Sequence, residues 1–271
     1  MLTKTQGGSM RGDELFIRMA TRPPFSKLHP RMGVFFKEYL AGERAVEFHG
    51  KTVVNTHFPP WPSRAFDRLA EQFGALGDAG TRRLYSVTLA VTNRCPLHCW
   101  HCYNAGRAQT DLSLEGLKRI AVQLQDLGAI IVTLTGGEPL VRPDLEQIVA
   151  AFDDRTCLFL NTTGLGLTAQ RAKLLKEAGL FAAGISLDSA DEAEHDAKRG
   201  RPGRIARRSK LCASRLRRGC IRTPSRWQHA SCWNQRGSMD SWTSRRMRAR
   251  GKSIYSNPAP PAGWPGGTTS H

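Results

Sequence analysis

The sequence predicts an α/β fold: a partial parallel (β/α) barrel of about four βα units at residues 83–203, after a small α+β extension at 1–82 and before an irregular basic tail at 204–271. Three observations carry this expectation. From Arg83 onward, β-branched apolar runs alternate with stretches whose apolar residues recur at helical spacing, an alternation that calls for a parallel sheet with right-handed crossovers. A cysteine-, glycine- or polar-rich segment follows each apolar run, at the strand ends where such folds build their sites. The charge changes abruptly near Gly203: residues 1–203 hold 25 Lys+Arg against 22 Asp+Glu, a net of +3, whereas residues 204–271 hold 15 against one, a net of +14.

Residues 1 to about 34 are polar and Pro-containing and read as a loose or partly helical lead-in. Two β-prone runs between Ala45 and Asn55 flank His49-Gly50, a hairpin signal. Pro59, Pro60 and Pro62 then break the chain before a helix over 63–73, with Phe66, Leu69 and Phe73 on one face. In the barrel region the first strand is Tyr85–Thr92, and Ser113 caps a helix carrying Leu114, Leu117, Ile120, Ala121, Leu124 and Leu127, which ends at Gly128. A buried strand over 129–134 leads to Gly136-Gly137-Glu138-Pro139 and a helix with Leu145, Ile148, Val149 and Phe152. The third unit has Cys157–Leu160 as strand, 161–166 as loop, and a helix with Ala172, Leu175 and Ala178 closed by Gly179. A fourth strand over 181–187 ends in Ser186-Leu187-Asp188.

The chemistry concentrates in Cys95-Pro-Leu-His-Cys99-Trp-His-Cys102, three thiols at C-x3-C-x2-C spacing directly after the first strand. Cluster iron is held by cysteine thiolates and a cubane has four irons, so three cysteines in one tight loop leave one iron free to bind something else. Zinc, with His98 or His101 completing the set, is the alternative, but structural zinc usually joins two ligand knuckles and one is present. Cys157, in mid-strand, reads as an inert buried thiol.

With Gly136-Gly137-Glu138-Pro139 about 34 residues beyond the last of these cysteines, at the end of the second strand, the chain resembles the radical S-adenosylmethionine (radical SAM) enzymes over roughly residues 80–203. The Cys-x-His-Cys-Tyr ending, His101 to Tyr103, fits the same family. The resemblance implies that Cys95, Cys99 and Cys102 bind three irons of a [4Fe–4S] cluster. The amino and carboxylate groups of S-adenosylmethionine then chelate the fourth. It also implies that Gly136, Gly137, Glu138 and Pro139 receive the methionyl ammonium. Asn161 and Thr162 at the end of the third strand, and Ser186 and Asp188 at the end of the fourth, lie near the ribose and methionyl parts, and Arg199 pairs the ligand carboxylate. Turn and capping chemistry for the polar residues, and a solvated surface role for Arg199, are the other readings of those positions. The activity implied is reductive cleavage, with an electron from a small donor of ferredoxin or flavodoxin type. The resulting 5′-deoxyadenosyl radical abstracts hydrogen from a peptide or cofactor precursor, as in maturases. No catalytic side chain is assigned.

No apolar run approaches the roughly 20 residues that span a bilayer and no signal-peptide core opens the chain, so a cytoplasmic protein without a membrane partner is expected. Of seven cysteines, one trio is clustered and Cys157, Cys212, Cys220 and Cys232 are scattered, unlike a disulfide framework. The tail holds four of the six tryptophans and has no periodicity. One reading is a disordered segment. Another is a basic arm stacking on single-stranded nucleic acid, attached to a non-catalytic metal-binding protein. Nucleic acid is nonetheless not the partner expected, because a third reading fits the tail better, that of translation out of frame beyond about Gly203. Shifting the frame so that each first base becomes a middle base turns T-initial codons into apolar ones. The positions so marked, Ser209 and Cys212, then Ser238, Ser241 and Trp242, then Ser253, Tyr255 and Ser256, have helix-like and finally strand-like spacing. That reading leaves about four of the family's six barrel strands, with an exposed parallel edge and an unfinished core, and puts folding and activity in question.

Overall fold

The parallel run of strands forms as the alternation requires. The structure, a computed structural model, describes residues 9–48, 50–75, 83–189 and 191–201. The tail at 204–271, with Cys212, Cys220, Cys232 and every position invoked for the frame change, lies outside the described residues, which all fall within one compact unit.

The first part of the chain is more ordered than its polarity suggests. β1 (Ser9–Arg11) runs straight into α1 (Gly12–Ala20), and α2 (Pro30–Leu40) follows, so the lead-in expected to be loose or partly helical holds a strand and two helices. Leu15 and Met19 on α1, Phe25 between the helices, and Phe36 and Leu40 on α2 are buried, which explains the order. The hairpin forms as β2 (Arg44–Phe48) and β3 (Lys51–Val53), antiparallel with Val46 opposite Val53, and β1 adds to its free side. α3 (Arg64–Gly74) begins where Ser63 Oγ accepts from the Phe66 amide, and Phe66 and Leu69 join the same core.

The second sheet has the order β4-β5-β6-β7, all parallel: β4 (Ser86–Thr92), β5 (Ile131–Gly136), β6 (Cys157–Thr162) and β7 (Ala182–Ile185). Strand β6 runs two residues beyond the predicted end, so Asn161 is a strand residue. Among the described residues β7 pairs with β6 alone. Helices α4 (Leu114–Asp126), α5 (Leu145–Val149) and α6 (Ala169–Glu177) cross over between the strands. Their apolar sides bury Val132, Leu134, Leu158, Leu160 and Ile185 from one face of the sheet. Leu127, placed on the apolar stripe of α4 by its spacing, is instead 57% exposed, because it is the C-cap residue where the helix has already ended before Gly128 at φ +95°. A seventh helix, α7 (Glu192–Lys198), capped by Asp191, was not foreseen; its acidic first turn and single buried side carry no repeating apolar signal.

Side chains at the starts of the strands, Ile130, Ile131, Cys157, Phe159 and Ala182, pack with the aromatic residues of the N-terminal segment. Arg68 Nη2 donates to the Gln125 carbonyl at 3.0 Å, Gln72 Nε2 donates to the Gly128 carbonyl at 2.6 Å, and the Tyr85 hydroxyl donates to the His57 carbonyl. The N-terminal extension therefore covers the strand starts and leaves the opposite ends for chemistry. Phe66 is 1% exposed at the centre of this packing. Phe66→Ala is expected to cost ~3–5 kcal/mol of unfolding free energy, measured by denaturant titration.

Candidate active site

Because the four strands are parallel, their carboxyl ends share one edge, and each predicted site segment follows one of them. The cysteine loop leaves β4, and backbone contacts fasten it to the loop after β5. The Gly137 amide donates to the Thr92 carbonyl at 2.7 Å and the Glu138 amide donates to the Arg94 carbonyl at 2.9 Å. This approach needs glycine. A Cβ on Gly136, at φ +139°, would lie 2.2 Å from the Thr92 oxygen, and one on Gly137 would lie 2.2 Å from the Arg94 oxygen. The two glycines thus admit the backbone of the cysteine loop, whatever ligand they face.

Three further side chains hold the loop. Asp111 accepts from Thr92 Oγ1 at 2.6 Å, the Asn93 amide at 2.7 Å and Arg94 Nε at 3.0 Å, clasping the returning chain to the point where the loop begins. Burial pushes this carboxyl up, but those three hydrogen bonds outweigh it and hold it below the usual carboxylate range. The Tyr103 hydroxyl donates to the Gly136 carbonyl at 3.2 Å, tying the residue after Cys102 to the end of β5. Leu97, between the first two cysteines, is buried.

Glu138 does something its motif does not announce. It is fully buried, and its carboxylate accepts from Thr162 Oγ1 at 2.5 Å, Thr163 Oγ1 at 2.6 Å, the Thr163 amide at 2.8 Å and the Leu140 amide at 3.0 Å. Four protein donors occupy the group that the resemblance gives to a cationic ligand, and Glu138 instead joins the end of β5 to the end of β6. Pro139 is buried beside it and Gly137 is partly exposed. Asn161 is exposed while its neighbour Thr162 points at Glu138, the alternation of a strand. The Ser186 amide donates to the Thr162 carbonyl at 2.8 Å, extending the edge to β7.

The fourth segment closes a ring. The Asp188 amide donates to His195 Nδ1 at 3.0 Å, and the Asp188 carboxylate meets Arg199 twice, Nε–Oδ2 at 2.6 Å and Nη2–Oδ1 at 2.9 Å. Arg199 is 8% exposed, not a solvated surface arginine, and its fork already holds a carboxylate of this chain. Its remaining nitrogen, Nη1, stands 3.7 Å from Cys99 Sγ. The Arg199 carbonyl accepts from the His98 amide at 3.3 Å, and the Lys198 carbonyl accepts from the Trp100 amide at 3.4 Å. Gly200, at φ +66°, permits this docking, since a Cβ there would sit 2.4 Å from the His98 oxygen. The C-terminal end of α7 is thus seated on the cysteine loop.

Cys95, Cys99 and Cys102 are free thiols, each partly exposed, and burial pushes the Cys95 thiol up. Cys157 is buried, and burial pushes its thiol far up, as an inert packing residue requires. Among the described residues no three His, Cys, Asp or Glu side chains are gathered as a single metal ion needs. A cubane asks for a different arrangement, each thiolate on its own iron. The donor set fits that group: three thiols free of disulfides on one braced loop, with a buried guanidinium against one of them. His101, the candidate fourth ligand of a zinc site, has its Nε2 3.8 Å from Asp188 Oδ1. The sequence reading missed Asp111, Thr163 and α7, and gave Thr162 to the ligand side where it instead donates to Glu138; the Asp-x-Ser cap sequence and the Asn-Thr-Thr strand end were the signals available for Asp111 and Thr163.

Comparison with known proteins addresses the same region. The family described as "Radical SAM superfamily" matches residues 89–222. The matched region is a radical SAM superfamily domain. The match begins in β4, takes in the cysteine loop and every strand end just described, and runs past Gly203. A probable GTP 3′,8-cyclase of Methanocella arvoryzae is 37% identical over 116 residues, which is 42% of this chain and 38% of that protein. The PqqA peptide cyclase of Streptomyces rochei is 38% identical over 119 residues, 42% of this chain and 32% of that protein. The chain therefore spans less than two-fifths of the length of these curated relatives. Among solved structures, that of Streptococcus suis SuiB bound to its precursor peptide SuiA is similar at 20% identity, covering 55% of this chain and 35% of that one with a TM-score of 0.42. The radical SAM domain is that of an enzyme. No helix among the described residues is long and apolar enough to cross a membrane.

The clasp at Asp111 gives a pH signature. Since its folded-state ionisation lies below the ordinary carboxylate range, the stability it contributes is present above that range and is lost as pH falls through it into stronger acid. Asp111→Asn is expected to lower the unfolding midpoint at neutral pH, with the difference from the parent shrinking below about pH 4, followed by thermal melts across an acid pH series.

Proposed function

We propose that this chain carries the cluster and cofactor site of a radical SAM enzyme, with Cys95, Cys99 and Cys102 as the ligands of a [4Fe–4S] cluster. The observation that carries the reading is the convergence of the three-cysteine loop with the Gly136–Pro139 loop and the ends of β6 and β7 on one edge of a parallel sheet. Superfamily membership over the same residues supports it. When bound, the cluster and S-adenosylmethionine supply reductive cleavage to a 5′-deoxyadenosyl radical that abstracts hydrogen from substrate.

The work of the protein's own residues follows from their placement. The three thiols hold iron. The backbone of Gly136 and Gly137, pressed against Thr92 and Arg94, would form one wall of the site that holds the group, and Glu138 keeps that wall rigid by joining it to Thr162 and Thr163. A methionyl ammonium is received by this loop's backbone, with Pro139 fixing its exit. Asn161, exposed at the end of β6, and Ser186 and Asp188 after β7 supply polar groups at the positions the family uses for the ribose and methionyl parts. Arg199, engaged by Asp188, acts on the cluster side of the site.

The substrate class proposed is a peptide or a cofactor precursor, since the relatives bear the names GTP 3′,8-cyclase and PqqA peptide cyclase. A small ferredoxin- or flavodoxin-type donor supplies the electron, in the cytoplasm. The extension at 1–82, the radical SAM core at 83–203 and the tail beyond it are the organisation we propose, with the tail read out of frame. Sequencing the gene across codon 203 tests that last point, and an intact frame with no alternative coding downstream would remove it.

Anaerobic reconstitution with iron and sulfide tests the central reading. The parent chain is expected to take up about four irons and, once reduced, to release 5′-deoxyadenosine from S-adenosylmethionine. Cys99→Ala is expected to lose the cluster, seen in its absorption and iron content. A full complement of iron in that variant would contradict the ligand assignment.

A further inference from the structure

Arg199 is placed for a task that neither the motif nor the family match assigns. Its guanidinium is buried, two of its nitrogens are committed to Asp188, and the third faces Cys99 Sγ at 3.7 Å. The Asp188 carboxylate holds the guanidinium by one hydrogen bond, at Nη2, and by a close ion-pair contact at Nε, and two contacts to one carboxylate limit its freedom to rotate. The pair is anchored at both ends. Asp188 is set by its amide on His195, which is itself wholly buried, and the Arg199 backbone is set by its carbonyl on the His98 amide. What remains is one N–H group 3.7 Å from one sulfur of the cysteine loop, a sulfur that the Arg199 carbonyl also approaches at 3.9 Å, and a positive charge whose counter-ion contacts the other two nitrogens.

Resting on the cluster assignment above, we propose that the Asp188–Arg199 pair sets how readily the cluster is reduced. In this arrangement Arg199 Nη1 donates to the Cys99 thiolate, and Asp188 limits the positive charge felt there. Hydrogen bonds to ligand sulfur and nearby charge are among the levers that tune cluster potentials, because reduction adds negative charge that an N–H donor or a cation stabilises. Arg199 is therefore a positioning and tuning residue rather than a clamp for the cofactor carboxylate. The added electron comes from the external donor and resides on the cluster, and no bond of the protein is made or broken.

The two partners should act in opposite directions, which a merely structural role does not produce. Arg199→Met removes the donor and leaves the Asp188 charge behind, so reduction becomes harder, on the order of tenfold in its equilibrium constant. Asp188→Asn leaves the guanidinium in place without its counter-charge, so reduction becomes easier. Arg199→Lys keeps the charge without the fork and falls between parent and Arg199→Met. The measurement is the midpoint potential of the reconstituted full-length chain, from a dithionite titration followed by electron paramagnetic resonance without S-adenosylmethionine.

Opposite shifts for Arg199→Met and Asp188→Asn establish the proposal. Unchanged potentials, or shifts of both variants in one direction, overturn it while leaving the cluster assignment intact. If Arg199→Met takes up no iron, the contrast between Arg199→Lys and Asp188→Asn decides in the same way. Loss of iron from every variant while the parent retains it makes the pair structural only and overturns the proposal. A parent chain that binds no cluster instead defeats the reading on which it rests.

Discussion

A carboxylate with no access to water holds the working edge of this sheet together. A buried carboxylate without partners is strongly destabilising, whereas one that accepts from several donors fixes the geometry of whatever supplies them. Glu138 accepts from two hydroxyls and two amides, three of these donors coming from Thr162 and Thr163 at the end of β6. The same residue's amide is bound to the Arg94 carbonyl at the mouth of the cysteine loop. One side chain and its own backbone thus tie the ends of three strands into a single body. The glycines before it let the chains come that close.

From this brace the contacts run on in one direction. Thr162 receives the Ser186 amide, Ser186 leads to Asp188, Asp188 grips Arg199, and the carbonyls at the end of α7 return to the cysteine loop. The loop is therefore gripped on two sides, by the loop after β5 and by α7, and clasped at its base by Asp111. A loop bearing three thiols has little cohesion alone, since its backbone groups lack regular partners. Here each flank is given partners by a different strand end, and the thiols remain partly exposed.

The opposite end of the sheet has another purpose. Strand starts packed with Phe25, Phe36, Phe58 and Phe66 form an apolar core that also buries Cys157. Separating stability at the amino ends from chemistry at the carboxyl ends lets the site be polar and open while the fold keeps a dry core.

Much of this was legible in the chain. Continuous apolar runs and period-3.6 patterns located β4 to β7 and α4 to α6, because strands buried in a parallel sheet and helices with one buried face leave these traces, and the three cysteines marked the candidate site by type and spacing. The lead-in was read only as loose or partly helical because its core residues, Leu15, Met19 and Phe25, lie in a short segment among polar residues and prolines and gain meaning from the helices and hairpin they meet. The sequence by itself determined that the candidate site segments lie at strand ends, because apolar runs and the loops after them are legible in one dimension. Tertiary structure alone decided what Glu138, Asp111 and Arg199 do there. A carboxylate or guanidinium reads the same in a sequence whether it faces a ligand, solvent or another strand, and its role is set by donors and acceptors that folding brings from far along the chain. For Arg199, that partner is a sulfur one hundred residues away.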